Sequence, residues 1–223
     1  MTTRATRYGW TELSSVPNVP GIYAWYYVPE FTERDLQETI NEIRELTARG
    51  ASAEAERVLN EFLHRRLFRV FAEEPYQVRI RGPLKPTYEG DIEHQMPTLT
   101  RRFVDRVLED PSRLATIKEV LETTAPEFSS PIYIGMSERL QERLAQHRNL
   151  IHRYRARQLN IEDSTEIESE LKLDKSFALQ VVRRSLVPTR LFVFVQTIED
   201  DGSMYINIEN LLNRICYPIL GRN

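Results

Sequence analysis

A single cysteine, Cys216, stands in this chain of 223 residues, which rules out an intrachain disulfide and any multi-cysteine zinc site. It falls in the apolar rhythm of LLNRICYPIL, where a thiol is expected to act as a small buried hydrophobe. Long apolar runs are missing as well. None approaches the roughly 20 residues of a membrane span, and the opening MTTRATRYGW lacks the apolar stretch of a secretory signal. A cytoplasmic protein with no membrane contact is expected. Charge of one sign is also scarce: 30 Lys and Arg against 33 Asp and Glu leave a net charge of −3. That balance excludes a protein that coats nucleic acid through bulk charge. Internal repeats and low-complexity tracts are absent. What remains, 41% hydrophobic and 28% charged, describes a globular chain long enough for one sizeable core, or a core domain and a smaller one.

The apolar patterns order the chain. GIYAWYYV, residues 21–28, is aromatic and β-branched between Pro17, Pro20 and Pro29, and predicts a buried strand. Leu36, Ile40, Ile43 and Leu46 repeat at helical spacing behind a Thr32-x-x-Asp35 capping pattern and stop at Gly50. A second helix from Ser52 carries Val58, Leu59, Phe62, Leu63, Leu67 and Val70, completing an antiparallel helical hairpin whose apolar stripe packs on its own core. Val78 and Ile80 alternate with Arg79 and Arg81, predicting a short strand followed by an irregular loop. Helices are expected over residues 98–110 and 112–124, punctuated by Pro111 and Pro126. PIYIG predicts another strand, running into a helix rich in Arg and His. Residues 159–189 read as part helix and part loop, RLFVFVQTIE as a strand, SMYIN as a short strand, and IENLLNRICYPIL as a last helix stopped by Pro218.

Two features carry chemistry. From Arg143 to Gln158 the chain holds five arginines and two histidines and no acid, a local basic segment in an otherwise mixed sequence. Arg143 and His147 are i and i+4 on one helix, so both can converge on one phosphate; the guanidinium stays charged and binds phosphate oxygens through a planar fork. A charge run is otherwise a solvated helix face. Glu209, on the last helix, could hold a hard divalent cation through one or two oxygens and leave the remaining positions to water and phosphate. Alternatively it is a first-turn acid favoured by the helix dipole.

The motifs Gly21-Ile22-Tyr23 and Tyr133-Ile134-Gly135, followed by Arg143 with His147 four residues on, and by Glu209 with Pro218 nine residues on, together resemble the GIY-YIG nuclease superfamily. The recognisable part covers residues 16–28 and 130–223. The resemblance implies an α+β fold, a small, mainly antiparallel β-sheet flanked by helices. Residues 1–30 and 128–223 would form the nuclease core, and residues 31–127 a mainly helical insertion. It implies phosphodiester hydrolysis of DNA with Mg²⁺ or Mn²⁺. Tyr23, Tyr133, Arg143, His147 and Glu209 would be the catalytic residues, Glu209 also the metal residue, and Arg148, Arg153, Arg155 and Arg157 the nucleic-acid contacts. About 110 residues separate the two tyrosine motifs, where the family commonly has a short hairpin loop. The family's asparagine usually falls three residues after the proline; here that place is Gly221, and Asn223 is the nearest candidate. A restriction or genome-defence endonuclease is the expected function, and a symmetric homodimer would suit a palindromic site. The alternative is a catalytically silent module of the same fold that binds nucleic acid or protein.

Unperturbed phenols titrate near pH 10, so a motif tyrosine serves as a general base only if a nearby cation lowers its pKa. The resemblance implies Tyr23 as the base ahead of Tyr133, with Tyr133 positioning water or phosphate; the residues themselves leave the two roles open.

Overall fold

The structure, a computed structural model, describes residues 5–72, 76–80, 88–92, 97–159, 176–198 and 204–220. Its backbone divides into two compact units: Met1–Val28 together with Glu122–Asn223, and the intervening Pro29–Leu121. The first unit opens with strand β1 (Thr6–Gly9) and a 3-10 turn over Trp10–Ser15, neither of which the apolar pattern announces. Strand β2 (Gly21–Tyr27) follows, where the aromatic run predicted it.

The second unit holds helix α1 (Glu33–Ala48), capped by Thr32, whose hydroxyl accepts from the Asp35 N–H at 3.2 Å. Helix α2 (Ser52–Leu63) continues through a π turn, His64–Phe68, to Phe71. Strands β3 (Tyr76–Ile80) and β4 (Tyr88–Ile92) pair antiparallel, so part of the expected irregular loop is a strand. Helix α3 (Arg101–Glu109) starts three residues later than expected. Helix α4 (Arg113–Phe128) begins in this unit, its residues from Glu122 on belonging to the first, and passes Pro126 instead of stopping before it; the proline lies in the last turn, where its missing N–H removes only one helical bond. Ile40, Ile43, Leu59, Phe62, Leu63, Val107 and Leu114 close a core belonging to this unit.

The first unit resumes with β5 (Tyr133–Ser137), α5 (Leu140–Leu159), α6 (Phe177–Arg183), β6 (Leu191–Thr197) and α7 (Met204–Cys216). The expected strand SMYIN is corrected: from Met204 its backbone is the beginning of α7, continuous with the helical spacing of Ile208, Leu212 and Cys216. Two things follow. Glu209 is the sixth residue of its helix, beyond the first turn, so the dipole reading no longer accounts for it. Cys216 is half-buried against the Ile22 and Ile134 cluster.

The fold class is α+β, and the sheet of this unit is antiparallel throughout its described strands, in the order β1-β6-β2-β5. Side chains alternate along β2. Tyr23, Trp25 and Tyr27 point to one face and are buried; there Phe177 of α6 stacks on Trp25 at 5.3 Å. Ile22 and Ala24 point to the other face, where Ile208, Leu212 and Cys216 of α7 cover them. No helix among the described residues is long and apolar enough to cross a membrane.

Candidate active site

The register of β2 against β5 creates the site. Tyr23 lies opposite Gly135, and Trp25 opposite Tyr133. With no side chain at Gly135, the Tyr23 ring lies across the backbone of β5: a Cβ there would stand 2.5 Å from Tyr23 Oη and 2.6 Å from Cζ. Gly21 is held to glycine for the same kind of reason, since a Cβ would run into the Gln196 carbonyl of β6 and come within 2.7 Å of Leu140 Cδ1. The two motif glycines thus let a tyrosine ring and a helix approach the sheet closely.

Helix α5 supplies the next two side chains, and its N-terminus is fixed from a distance. Asn18, in the loop before β2, accepts from the Glu142 N–H at 3.3 Å and donates its amide to Glu142 Oε1 at 3.0 Å. The Leu140 N–H donates to the Val19 carbonyl at 3.3 Å, and the Arg139 N–H to Ser137 Oγ at 3.0 Å. These bonds satisfy first-turn N–H groups that have no intrahelical partner and set the helix phase relative to β2.

With α5 placed this way, His147 Nε2 sits 2.8 Å from Tyr23 Oη. Both side chains are buried, at 4% and 1% exposure. The histidine ring meets Tyr23 and Tyr133 edge-on at 5.7 and 5.9 Å, and Phe177 packs on His147 at 5.2 Å and on Tyr133 at 5.0 Å. Half-buried Arg143 lies one turn before His147, interacts with both phenols, and donates to Gln146 Oε1 at 2.7 Å.

Burial pushes the Tyr23 phenol well above its ordinary value, reinforced by Tyr133; the Arg143 cation pulls the other way without cancelling it. Burial, helped by Arg143, holds the His147 imidazole down at about 3. Burial also works against the charge of Arg143, but the two tyrosines outweigh it and the guanidinium pKa is raised. Burial raises Glu209 too, opposed by a side-chain hydrogen bond from Asn213 and by the charge of Arg143. Glu209 is felt in turn at Tyr23. Tyr23, Tyr133, Arg143, His147 and Glu209 therefore form one electrostatic cluster, built from β2, β5, α5 and α7. At neutral pH the tyrosine and histidine at its centre are both uncharged.

A histidine that folds neutral loses stability in acid. The unfolded chain binds its proton below about pH 6.5 and the folded chain only near pH 3, so the contribution is complete above the first value and falls as pH drops between them. Wild type should lose about 2 kcal/mol more than His147→Gln between pH 6.5 and roughly pH 4.5, measured by urea unfolding at each pH. An equal acid loss in the variant would remove His147 as the source.

The remaining site residues are distributed differently. Arg148 is half-buried, while Arg153, Arg155 and Arg157 are exposed on α5. At 3.6 residues per turn, Arg148 and Arg155 share one longitude and Arg153 and Arg157 another, so the basic run is divided between two sides of the helix. His147 of that run faces the core and not solvent. Asn223 lies outside the described residues; the described chain ends at Leu220, whose N–H donates to the Ile132 carbonyl at 2.7 Å beside β5. Asn213, one turn after Glu209, belongs to no motif in the sequence, and its i, i+4 spacing from Glu209 is the signal that points to it.

Among the described residues no three His, Cys, Asp or Glu side chains gather as a metal cage. The groups tied to Glu209 are its own carboxylate, the Asn213 amide hydrogen-bonded to it and the Tyr23 phenol that feels its charge, all of them hard oxygen or nitrogen chemistry with no thiolate or imidazole at the carboxylate among the described residues. That set fits Mg²⁺ or Mn²⁺ held by one protein carboxylate, with water and substrate completing the shell. Compared with family models, curated proteins and solved structures, the chain matches none.

Proposed function

We propose that this protein is a metal-dependent DNA endonuclease of the GIY-YIG type, hydrolysing phosphodiester bonds at a specific sequence in restriction or genome defence. The observation that carries the reading is the convergence of both motif tyrosines, Arg143, His147 and Glu209 on one cluster, from four elements separated by up to 186 residues of sequence, with the two motif glycines required by the packing.

Each residue has a task in such a reaction. Arg143, kept charged, binds the phosphoryl oxygens and offsets the negative charge that grows on them. Tyr23 Oη holds a proton 2.8 Å from His147 Nε2, and Phe177 and the sheet keep bulk water from that pair. Tyr133, half-buried at the strand edge, orients water or phosphate. Glu209 would hold Mg²⁺ or Mn²⁺, whose positive charge lowers the pKa of oxygens around it and polarises the phosphate. Arg148, Arg153, Arg155 and Arg157 are available to flanking DNA phosphates, a contribution to affinity that carries no base specificity.

A silent DNA-binding module is the competing reading, favoured by the uncharged state of Tyr23 and His147 with Arg143 as the cation beside them. Incubating unmodified plasmid DNA with the protein separates the two. The nuclease gives discrete fragments with Mg²⁺ or Mn²⁺, none with EDTA, and regains cutting when metal is restored. Retention of DNA without cleavage under every metal condition would establish the silent module instead.

A further inference from the structure

Helix α7 carries the carboxylate of the site and, at i+4 from it, an amide. Asn213 makes a side-chain hydrogen bond to Glu209. An ionised carboxylate only accepts, so the amide NH₂ is the donor and the carbonyl oxygen is turned away from Glu209. That oxygen, Asn213 Oδ1, is buried and has no hydrogen-bond partner among the described residues. Neighbouring donors are engaged elsewhere: Arg214 Nε donates to Asn210 Oδ1 at 3.0 Å, and the Tyr217 N–H to the Asn213 main-chain carbonyl at 3.2 Å.

A buried carbonyl oxygen with no donor lowers stability, and an apolar side chain of similar size would pack at that position without the penalty. An amide at this place is therefore better explained by what it does for the site than by what it does for the fold. We propose that Asn213 is a positioning residue for Glu209, and that the two form a seat for a hydrated divalent cation. The Asn213 NH₂ fixes the carboxylate on the side of α7 that faces Arg143, and Oδ1 accepts a hydrogen bond from the cation's hydration shell. Mg²⁺ keeps several of its waters when bound, so an uncharged acceptor beside a single carboxylate suits it. Partners of this kind orient a ligand and tune its affinity without replacing it. The inference rests on the reading of Glu209 as the metal residue.

The test uses the full chain without DNA. Mn²⁺ affinity is measured by electron paramagnetic resonance of the free ion, and thermal unfolding is followed in EDTA, for wild type, Asn213→Ala and Asn213→Asp. Asn213→Ala should weaken Mn²⁺ binding by about 10- to 100-fold while unfolding in EDTA at the wild-type temperature or above it. Asn213→Asp should bind Mn²⁺ at least as tightly as wild type and unfold at a lower temperature in EDTA, because two carboxylates then face each other. A lower unfolding temperature for Asn213→Ala with unchanged Mn²⁺ affinity overturns the proposal and makes the amide structural. Should the alanine variant not fold, Asn213→Asp decides alone, and weakened Mn²⁺ binding in it also overturns the seat. If wild type itself binds no Mn²⁺, the metal role of Glu209 fails and this inference with it. Binding by wild type with no response in either variant removes only Asn213.

Discussion

Tyr23→Phe is expected to lower the cleavage rate by about 10²- to 10⁴-fold, the usual loss when a positioned proton-transfer group is removed. The substitution keeps the ring, and with it the packing on Tyr133 and His147. It removes only Oη and its 2.8 Å bond to His147 Nε2. Stability should change by no more than about 1–2 kcal/mol, the cost of leaving one buried partner unpaired. A large loss of rate with a small loss of stability separates chemistry from folding. Single-turnover cleavage and urea unfolding on the same preparation give both numbers, and a rate within tenfold of wild type would take the proton-handling role away from Tyr23. Burial holds this phenol above its ordinary value, so its proton favours the fold at every pH below about 10 and that contribution declines only in stronger alkali. The metal-free protein thus keeps Tyr23 protonated at neutral pH, and removing that proton requires added positive charge.

Gly135→Ala should affect stability and cleavage together. The added methyl would stand 2.5 Å from Tyr23 Oη, 2.6 Å from its Cζ and 3.0 Å from Tyr133 Cε1, all too close for carbon. Tyr23 has no room to retreat, since it is 1% exposed between two strands and α5. Overpacking of this kind costs about 1–3 kcal/mol, and whatever relaxation occurs moves the phenol off His147. Cleavage is therefore expected to drop by at least about tenfold even where the protein remains folded, because angstrom-scale displacement of a catalytic group is enough for that. Gly90→Ala is the matched control: a Cβ at Gly90, on β4, meets nothing within 4 Å. Denaturant midpoints and cleavage rates for both variants make the comparison. Wild-type behaviour of Gly135→Ala would mean that Tyr23 is not confined by β5.

Much of this arrangement was legible in the sequence because local pattern and tertiary environment agree there. The strands around Gly21, Tyr133 and Leu191 are buried on both faces and read as continuous apolar or aromatic runs, and α1 shows both its periodicity and its cap. Strand β1 was not legible. Thr6–Gly9 is short and polar, and it is a strand because β6 supplies a ladder for it, Thr6 opposite Val195 and Gly9 opposite Phe192. Strand β4 depends on β3 in the same way. Met204–Asn207 carries strand-like residues yet continues a helix whose packing is decided further along, by Ile208, Leu212 and Cys216 on the sheet. The site shows the same division. Motif spacing indicates which residues gather, but the burial of His147 comes from the phase of α5, which Asn18 and Val19 set from another part of the chain. The role argued for Asn213 depends on an oxygen without a partner, a property of the folded molecule alone.

The sheet order also determines when this protein can exist as a working unit. Strand β6 lies between β1 and β2 and pairs with both, although it is made 164 residues after the end of β2 and 182 after the end of β1. A ribosome adding about 5–20 residues per second releases β1 and β2 first, then the Pro29–Leu121 segment, which has a core of its own to collapse around. The strand that completes the sheet and the helix that carries Glu209 come last. Nascent and prematurely ended chains hold Tyr23 but neither the sheet that positions it nor the carboxylate that completes the cluster. For the nuclease proposed above, cleavage is therefore expected only from chains that already include β6 and α7.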